Sequence, residues 1–351
     1  MAIENRIKAF VELGNFLDQF QVDGIIKKEE LPLNDLFFDA FSLQINRAIE
    51  TNGWFTKENV LYAFNSWSKL LNYNNLNEWT SSYNLSKKNI KNIAIIMAGN
   101  IPLVGFHDFL SVLISGHSVL IKQSSSDNFF LPLIAKYLEK IEPEFHGKII
   151  FSDEKLQNFD AVIATGSNNT ARYFDYYFGK HPHIIRQNRN SVAVLTGNET
   201  PEELHQLGED IFRYFGLGCR SVSKIFVPKG YDFDMFFNAI LSYSDIIHYK
   251  KYENNYDYNK AVYLMSLFKI LENGFLMLKE DVSYGSPIAT LFYEYYDDVA
   301  LLKDKLNQDK VFIQCVVGTA IENSVPFGET QKPQLWDFAD GIDTLRFLEN
   351  L

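Results

Sequence analysis

Ile93-Ala94-Ile95-Ile96-Met97-Ala98-Gly99-Asn100-Ile101-Pro102 is the stretch that decides the fold. Residues 93–97 are an unbroken apolar run, short and rich in isoleucine, which predicts a strand covered on both faces. Residues 98–102 read as a turn, and Pro102 as the start of a helix over 104–115. The same alternation continues downstream. Residues 119–122 predict a second strand, and Ser124-Ser125-Ser126-Asp127 is a helix-start signal before a helix over 130–141. Strands follow at 148–151 and 161–164, a helix at 169–178, and strands at 184–185 and 192–195. Alternating strands and helices predict an α/β fold with a doubly wound parallel sheet. Nucleotides bind at the carboxyl ends of such strands. No Gly-x-Gly-x-x-Gly follows any of these strands, so the usual dinucleotide fingerprint is absent.

A second stretch carries the chemistry: Phe215-Gly216-Leu217-Gly218-Cys219-Arg220-Ser221-Val222-Ser223-Lys224-Ile225-Phe226-Val227-Pro228. A helix-like segment, 202–214, leads into two glycines and a cysteine, and an apolar strand over 224–227 follows at once. Glycines allow close backbone approach and leave a sulfur exposed. A cysteine between a helix and a strand can present a thiolate to a cleft. The alternative is a buried small hydrophobe, the commonest fate of a thiol. The second cysteine, Cys315, lies in an apolar run over 311–317 that predicts a strand, and reads as core.

Composition sets the frame. The chain has 351 residues, enough for two domains with cores, and its 46% hydrophobic and 22% charged residues fit a globular protein. No run of roughly 18 apolar residues predicts a spanning helix. The charged N-terminal residues Glu4, Lys8 and Glu12 do not fit a signal peptide. Two cysteines argue against a disulfide framework and for a reducing cytoplasm. No Cys/His spacing suits zinc. The net charge of −11, from 33 Lys+Arg against 44 Asp+Glu, argues against nucleic-acid binding. One local reversal stands out: residues 161–198 hold Arg172, Lys180, Arg186 and Arg189 against Asp175 alone. That patch suits the phosphates of a small ligand, or is a chance cluster on a solvated face.

The flanks carry less chemistry. Residues 1–88 read as helical, with apolar periodicity at Ile7, Phe10, Val11, Leu13, Phe16 and Leu17, and further helices at 37–49 and 60–71. These helices are expected to cap the first domain. Residues 231–243 read as a helix, 248–260 as a polar Tyr/Asn/Lys-rich connector, 268–278 as containing a strand, and 335–351 as a closing helix.

The cysteine stretch resembles the nucleophile segment of aldehyde dehydrogenases, where a glycine precedes the catalytic cysteine and a strand follows. Other matches occur in the family's order. Asn100-Ile101-Pro102-Leu103 resembles its Asn-Phe-Pro-Leu turn, whose asparagine amide stabilises an oxyanion. Lys122-Gln123-Ser124-Ser125 resembles its Lys-Pro-Ser-Glu, whose lysine binds the adenosine ribose. Thr165-Gly166-Ser167 resembles its Thr-Gly-Ser, which opens a helix under the pyrophosphate, as unpaired N–H groups at a helix start allow. Tyr284-Gly285-Ser286-Pro287 resembles its Phe-Gly-Pro, whose aromatic packs on the nicotinamide. Pro326-Phe327-Gly328 resembles its Pro-Phe-Gly near the end of the catalytic domain. Taken singly, Thr-Gly-Ser is also an ordinary helix start and Asn100 an ordinary turn residue.

Two departures narrow the expectation. The family's hydrolytic members carry a glutamate in Glu-Leu-Gly-Gly-Lys that activates water. Arg186-Gln187-Asn188-Arg189-Asn190 stands there, without a carboxylate. Val282 stands near the place of the glutamate that holds the nicotinamide ribose. A thioacyl enzyme lacking a water-activating base exchanges with thiols better than it hydrolyses. Within this acylating branch the chain resembles the LuxC-like acyl-CoA reductases of bacterial bioluminescence operons, over roughly residue 91 to the C-terminus.

The resemblance implies an aldehyde dehydrogenase-like fold, with a doubly wound nucleotide-binding domain and a smaller α/β catalytic domain. The expected division is a helical segment over 1–90, an NADP-binding domain over 91–195, a catalytic domain over 196–330 and a tail over 331–351. It implies NADPH-dependent reduction of a fatty acyl-CoA to the aldehyde through a thioacyl-cysteine. Cys219 and Asn100 are the expected catalytic residues. Lys122, Ser124, Ser125, Thr165, Gly166, Ser167 and Tyr284 are expected at NADP(H). Arg186, Arg189 and Arg220 are the candidates for substrate phosphates. A homodimer or other homo-oligomer is open. So are an acyl-phosphate reductase of the same fold, like glutamyl-phosphate reductase, an acyltransferase or thioesterase using the same cysteine, and a non-catalytic assembly partner.

Overall fold

The computed structural model describes residues 1–86, 89–166 and 168–351, apart from the side chains of Asn168 and Asn169. Ser167 of the Thr-Gly-Ser match, and Lys87 and Lys88 at the end of the helical N-terminal segment, lie outside the described residues. The chain divides into two compact units: Met1–Gln187 with Gln334–Leu351, and Asn188–Pro333.

The first unit opens with α1 (Ile3–Leu17), a small hairpin of β1 (Phe20–Gln21) and β2 (Gly24–Ile25), then α2 (Asn34–Thr51), α3 (Lys57–Leu70) and α4 (Tyr73–Ser81). Next come β3 (Asn92–Ile96), α5 (Phe106–Ile114), β4 (Ser118–Lys122), α6 (Leu131–Ile141), β5 (Ile149–Phe151), β6 (Ala161–Thr165), α7 (Asn168–Phe178) and β7 (His183–Arg186). The strands form one parallel sheet in the order β5-β4-β3-β6-β7. Its two faces explain the continuous apolar runs. Ile93 and Ile95 enter the large core shared with the N-terminal helices, while Ala94 joins Val162 and Ala164 beneath Phe174 and Phe178 of α7. On the first face aromatic rings interlock: Phe16 lies 4.9 Å from Phe41, and Phe64 lies 4.9 Å from Phe130. The N-terminal helices therefore share the core of this sheet.

The second unit contains β8 (Asn190–Val194), α8 (Pro201–Phe212), β9 (Val222–Pro228), α9 (Phe233–Ala239), α10 (Lys250–Met265), β10 (Ile270–Glu272), β11 (Met277–Glu280), β12 (Thr290–Tyr296), α11 (Val299–Gln308) and β13 (Ile313–Val317). Its sheet runs β10-β11-β12-β9-β8-β13, parallel except for the β10–β11 pair. The strand expected at 192–195 is β8 and belongs to this second sheet. The last helix, α12 (Thr344–Glu349), returns to the first unit.

Several local expectations change. From Lys250 onward the 248–260 connector is instead helix α10, whose buried residues are Tyr252, Tyr256, Asn259 and Tyr263. Their spacing of four, three and four residues is a helical stripe made of tyrosines, which a search for aliphatic residues passes over. The helix after Pro102 starts only at Phe106, because Leu103 takes a left-handed φ of 58°. The helix expected over 202–214 ends at Phe212, because Tyr214 and Phe215 turn left-handed. The helix expected over 231–243 splits into α9 and a 3-10 helix, Leu241–His248.

Candidate active site

In the first unit the strand order reverses beside β3: β4 and β5 extend to one side, β6 and β7 to the other. The crevice outside the carboxyl ends of β3 and β6 is where such sheets bind ligands. The loops expected at the cofactor gather there. Exposed Asn100 follows β3, half-buried Lys122 ends β4 with half-buried Ser124 and exposed Ser125 just after it, and half-buried Thr165 ends β6 with half-buried Gly166 just after it. The loops after β3 and β4 are stitched together. A Cβ on Gly99 would stand 2.6 Å from the Ser124 Oγ, so only glycine fits. The Asp127 carboxylate accepts the Leu103 N–H at 2.8 Å. Burial pushes the Asp127 carboxyl up to about 7, and the Leu103 N–H offsets part of that rise. Lys122 donates to the Glu154 carbonyl at 3.3 Å through one of its three N–H bonds. This edge fits a dinucleotide: the backbone approaches closely, hydroxyls are exposed, and a cation is at hand.

Arg186 is a correction to the phosphate candidates. It is 6% exposed, with Nη2 and Nε 2.6 and 3.2 Å from the two Asp108 carboxylate oxygens. It also donates to the Ala339 carbonyl at 2.8 Å and the Thr344 hydroxyl at 2.9 Å. The guanidinium ties α5 to the C-terminal return of the chain and is held by internal partners.

In the second unit the cysteine turn lies outside the amino ends of the parallel strands. Tyr214, Phe215 and Gly216 have φ of 55°, 58° and 74°, three successive left-handed residues. For non-glycine residues this costs about 1–2 kcal/mol each, and such strain concentrates at functional sites. The Ser221 N–H then closes on the Gly218 carbonyl at 3.0 Å, making a turn with exposed Cys219 and half-buried Arg220 at its centre. Strand β9 starts immediately after it.

Three supports hold this turn. Beneath it, the Ser191 hydroxyl donates to the Cys219 carbonyl at 3.0 Å and lies 3.0 Å from the Cys315 Sγ. Cys315, expected in the core, is a half-buried thiol at the floor of the turn. Beside it, Arg220 donates through Nε to the Thr330 carbonyl, and the Thr330 and Gly328 N–H groups donate to buried Asp210 at 3.0 and 2.7 Å. Burial raises the Asp210 carboxyl to about 6 against the pull of these N–H groups. The Pro326-Phe327-Gly328 stretch is thus anchored on α8 next to the cysteine turn. On the third side, the Ser223 hydroxyl donates to the Tyr284 carbonyl at 2.7 Å. The Tyr284 ring stacks on Phe312 with centroids 6.4 Å apart, its hydroxyl donates to Asp309, and the Lys224 ammonium lies 5.1 Å from its centroid. Burial lowers the Lys224 pKa, and its ion pair with Glu294 at 2.6 Å opposes the shift. Arg189 is half-buried and donates to the Lys310 and Ile313 carbonyls at 3.4 and 3.5 Å.

Sequence reasoning missed Ser191, Asp127 and Asp210. Ser191 borders the quoted Arg186–Asn190 stretch and Asp127 ends the quoted serine run, but their partners are distant in sequence. Among the described residues no group of three or more His, Cys, Asp or Glu is placed to hold a metal, and no helix is long and apolar enough to cross a membrane.

This architecture is that of the aldehyde dehydrogenases. A crystal structure of an oxidoreductase from Marinobacter aquaeolei matches with a TM-score of 0.66 and 11% identity, over 92% of this chain and 74% of that one. Indole-3-acetaldehyde dehydrogenase AldA of P. syringae, solved as a mutant with NAD+ and IAA, matches at 0.61 and 11% identity, over 87% and 69%. The NAD-bound Delta-pyrroline-5-carboxylate dehydrogenase of Mycobacterium tuberculosis matches at 0.59 and 13% identity, over 99% and 77%. Within that fold, the model of the family Acyl-CoA reductase (LuxC) matches residues 54–240, and the chain belongs to this family. The match begins inside the N-terminal helical segment, earlier than the sequence motifs indicated, and includes Asn100, Lys122 and Cys219. A curated relative, long-chain acyl-protein thioester reductase 2 of Photobacterium leiognathi, is 23% identical in an alignment of 209 residues that covers 54% of this chain and 42% of that protein. The chain thus spans less than half the length of that relative.

Proposed function

We propose that this protein is an NADPH-dependent acyl-CoA reductase that forms a fatty aldehyde through a thioacyl-Cys219 intermediate. The observation that carries the reading is the Cys219 turn: an exposed thiol at the centre of a tight turn, behind three left-handed residues, in a chain of the acyl-CoA reductase family.

The Cys219 thiolate attacks the thioester carbonyl, a new C–S bond forms, and the coenzyme A thiolate leaves. The Cys219 N–H and the Asn100 amide are the proposed donors to the oxyanion. A bound reduced nicotinamide supplies the hydride. The acyl carbon is thereby reduced, the C–S bond to Cys219 breaks, and the aldehyde departs as the thiolate is restored. Lys122, Ser124, Ser125, Thr165 and Gly166 are the proposed contacts for the adenosine half of NADPH, together with Ser167, and Tyr284 for the nicotinamide end. Arg189 and Arg220 are kept as phosphate candidates. The proposed roles are nucleotide binding for the domain expected over 91–195 and catalysis for the one expected over 196–330, with residues 188–195 counted in the second because β8 belongs to its sheet, and with the helices of 1–90 packed on the first. The proposed setting is the cytoplasm, with acyl-CoA as the substrate partner.

The test is incubation of the protein with NADPH and a panel of acyl-CoA chain lengths, following NADPH loss and aldehyde together. Stoichiometric aldehyde supports the reading. Turnover only with an acyl phosphate would move it to the acyl-phosphate reductases, and acyl transfer without NADPH would make the cysteine an acyltransferase or thioesterase nucleophile.

A further inference from the structure

The cysteine turn rests on a hydrogen-bonded chain whose direction is fixed by proton count. A serine hydroxyl has one proton. Ser191 donates it to the Cys219 carbonyl. The 3.0 Å contact between Ser191 Oγ and Cys315 Sγ must then be donated by the thiol. The chain reads Cys315 S–H to Ser191 O–H to Cys219 C=O. Both strands that bring these residues here are irregular where they do so. The β8–β9 register shifts between Ser191 and Val192, and the β13–β8 register shifts between Ile313 and Val316, bracketing Cys315. Such bulges re-aim side chains beside active sites. Ser191 is fully buried, so its hydroxyl is shielded from bulk solvent. Cys315 and the turn leading into β9 flank β8 on either side. Two strand spacings separate their backbones by roughly 9–10 Å, too far for a disulfide without movement. The thiol is placed to donate to Ser191.

We propose that Ser191 is a positioning residue for Cys219, and that Cys315 holds Ser191 in its donating orientation. This rests on the reading of Cys219 as the nucleophile. Fixing the carbonyl of Cys219 fixes the peptide plane that follows it, and with it the direction of the thiol. A thiol at position 315 supports this orientation because it is a donor. An acceptor there competes for the single Ser191 proton and pulls it away from the turn.

The experiment compares Ser191→Ala, Ser191→Thr, Cys315→Ser and Cys315→Asp in two measurements. The first is acyl-CoA reduction. Ser191→Ala is expected to lower kcat about five- to tenfold, the effect of one lost hydrogen bond, with KM within about twofold. Ser191→Thr keeps the hydroxyl and is expected to restore most of the rate. Cys315→Ser, still a donor, stays close to the native rate, and Cys315→Asp falls towards Ser191→Ala. Unchanged kcat in Ser191→Ala, or a threonine variant as slow as the alanine variant, overturns the proposal. The second measurement is amide hydrogen exchange over residues 216–221, which needs no substrate. Ser191→Ala is expected to speed exchange there and Ser191→Thr is not. If the native protein reduces no acyl-CoA, the reading of Cys219 fails, and the exchange data alone then decide whether Ser191 anchors the turn. Equal exchange in all variants overturns the anchor whatever the activity.

Discussion

Asp127 Oδ2 accepts the Leu103 N–H at 2.8 Å, and Leu103 sits in the left-handed region at φ 58°. A carboxylate in the loop after β4 thereby clamps the turn that presents Asn100. The clamp has a pH signature. Burial raises the Asp127 carboxyl from 3.8 to about 7. Between those values the folded state binds a proton that the unfolded state has released. Stability from this group is therefore present at low pH and is lost as pH rises through about 7. Asp127→Asn keeps an acceptor for Leu103 and removes the titration. It is expected to be more stable than the native protein at pH 8, by up to about 4 kcal/mol for a rise of that size, with the gap closing towards pH 4. Urea unfolding at both pH values checks this. A gap of equal size at the two would show that Asp127 does not titrate as stated.

Arg186 is expected to matter for stability and not for phosphate recognition. Removing one partner of a buried ion pair leaves an uncompensated charge, at a cost of about 3–5 kcal/mol. Arg186→Met is expected to lose about that much, and Arg186→Met with Asp108→Leu to recover most of it. Denaturant midpoints of the three proteins measure both. If the double variant is no more stable than the single one, the Asp108 pairing is not what holds Arg186.

The fold was legible in the sequence where burial is two-sided. Residues 93–95, 119–121 and 161–164 are each continuously apolar and buried, as strands covered on both faces are, and helices separate them in sequence. It was illegible in α10, where tyrosine rings and an asparagine form the buried stripe. The exposed cysteine was legible from its glycines, since Gly216 accepts a φ of 74° without strain. The left-handed aromatics before it were not, because local preference argues against them. Arg186 was misread because its partner lies 78 residues upstream on α5, and a cation beside a missing glutamate suggests a ligand. Ser191 depends on two register shifts, which no spacing rule reports.

The two thiols are expected to separate cleanly. Cys219→Ala should abolish both aldehyde formation and acyl-enzyme formation. Cys315→Ala removes the thiol that orients Ser191 but leaves its hydroxyl within reach of the Cys219 carbonyl, so both activities should persist, with a loss no larger than the roughly five- to tenfold expected of Ser191→Ala. Mass spectrometry of the protein after incubation with acyl-CoA locates the thioester. Acyl groups on Cys315, with Cys219→Ala still active, would reverse the assignment.

NADPH is expected over NADH. The side chain after Lys122-Gln123-Ser124 is an exposed serine, where a carboxylate would repel a 2′-phosphate and where Lys122 can pair with one. Like-charge repulsion of this kind is worth on the order of 1–3 kcal/mol, or roughly ten- to a hundredfold. Ser125→Glu should shift the preference towards NADH by that factor. Fluorescence titration with both nucleotides measures it, and equal affinity of the native protein for the two contradicts the assignment.

The acyl-enzyme is expected to release fatty acid slowly. Deacylation by water needs a base to take a proton as the oxygen attacks, and such a base contributes about 10²–10⁴-fold. Residues 186–190 contain no carboxylate. Two acids further along the chain, Glu199 and Glu209, are committed elsewhere. The Glu199 carboxylate accepts the Thr196 N–H and hydroxyl at 2.6 and 2.8 Å and the Gly197 N–H at 3.0 Å. It follows the carboxyl end of β8, whereas Cys219 precedes the amino end of parallel β9, on the order of 20 Å away along the strands. Glu209 is paired with Arg213, the residue just past the end of its helix. Coenzyme A needs no such base, because its thiol attacks as the thiolate. The measurement acylates Cys219 with acyl-CoA in the absence of NADPH, then follows free fatty acid with and without added thiol. Thiol capture should outrun acid release by about 10²-fold or more, the lower end of what the missing base supplies. Acid release as fast as aldehyde formation would falsify the expectation, and would require a base on an element that none of these contacts identifies.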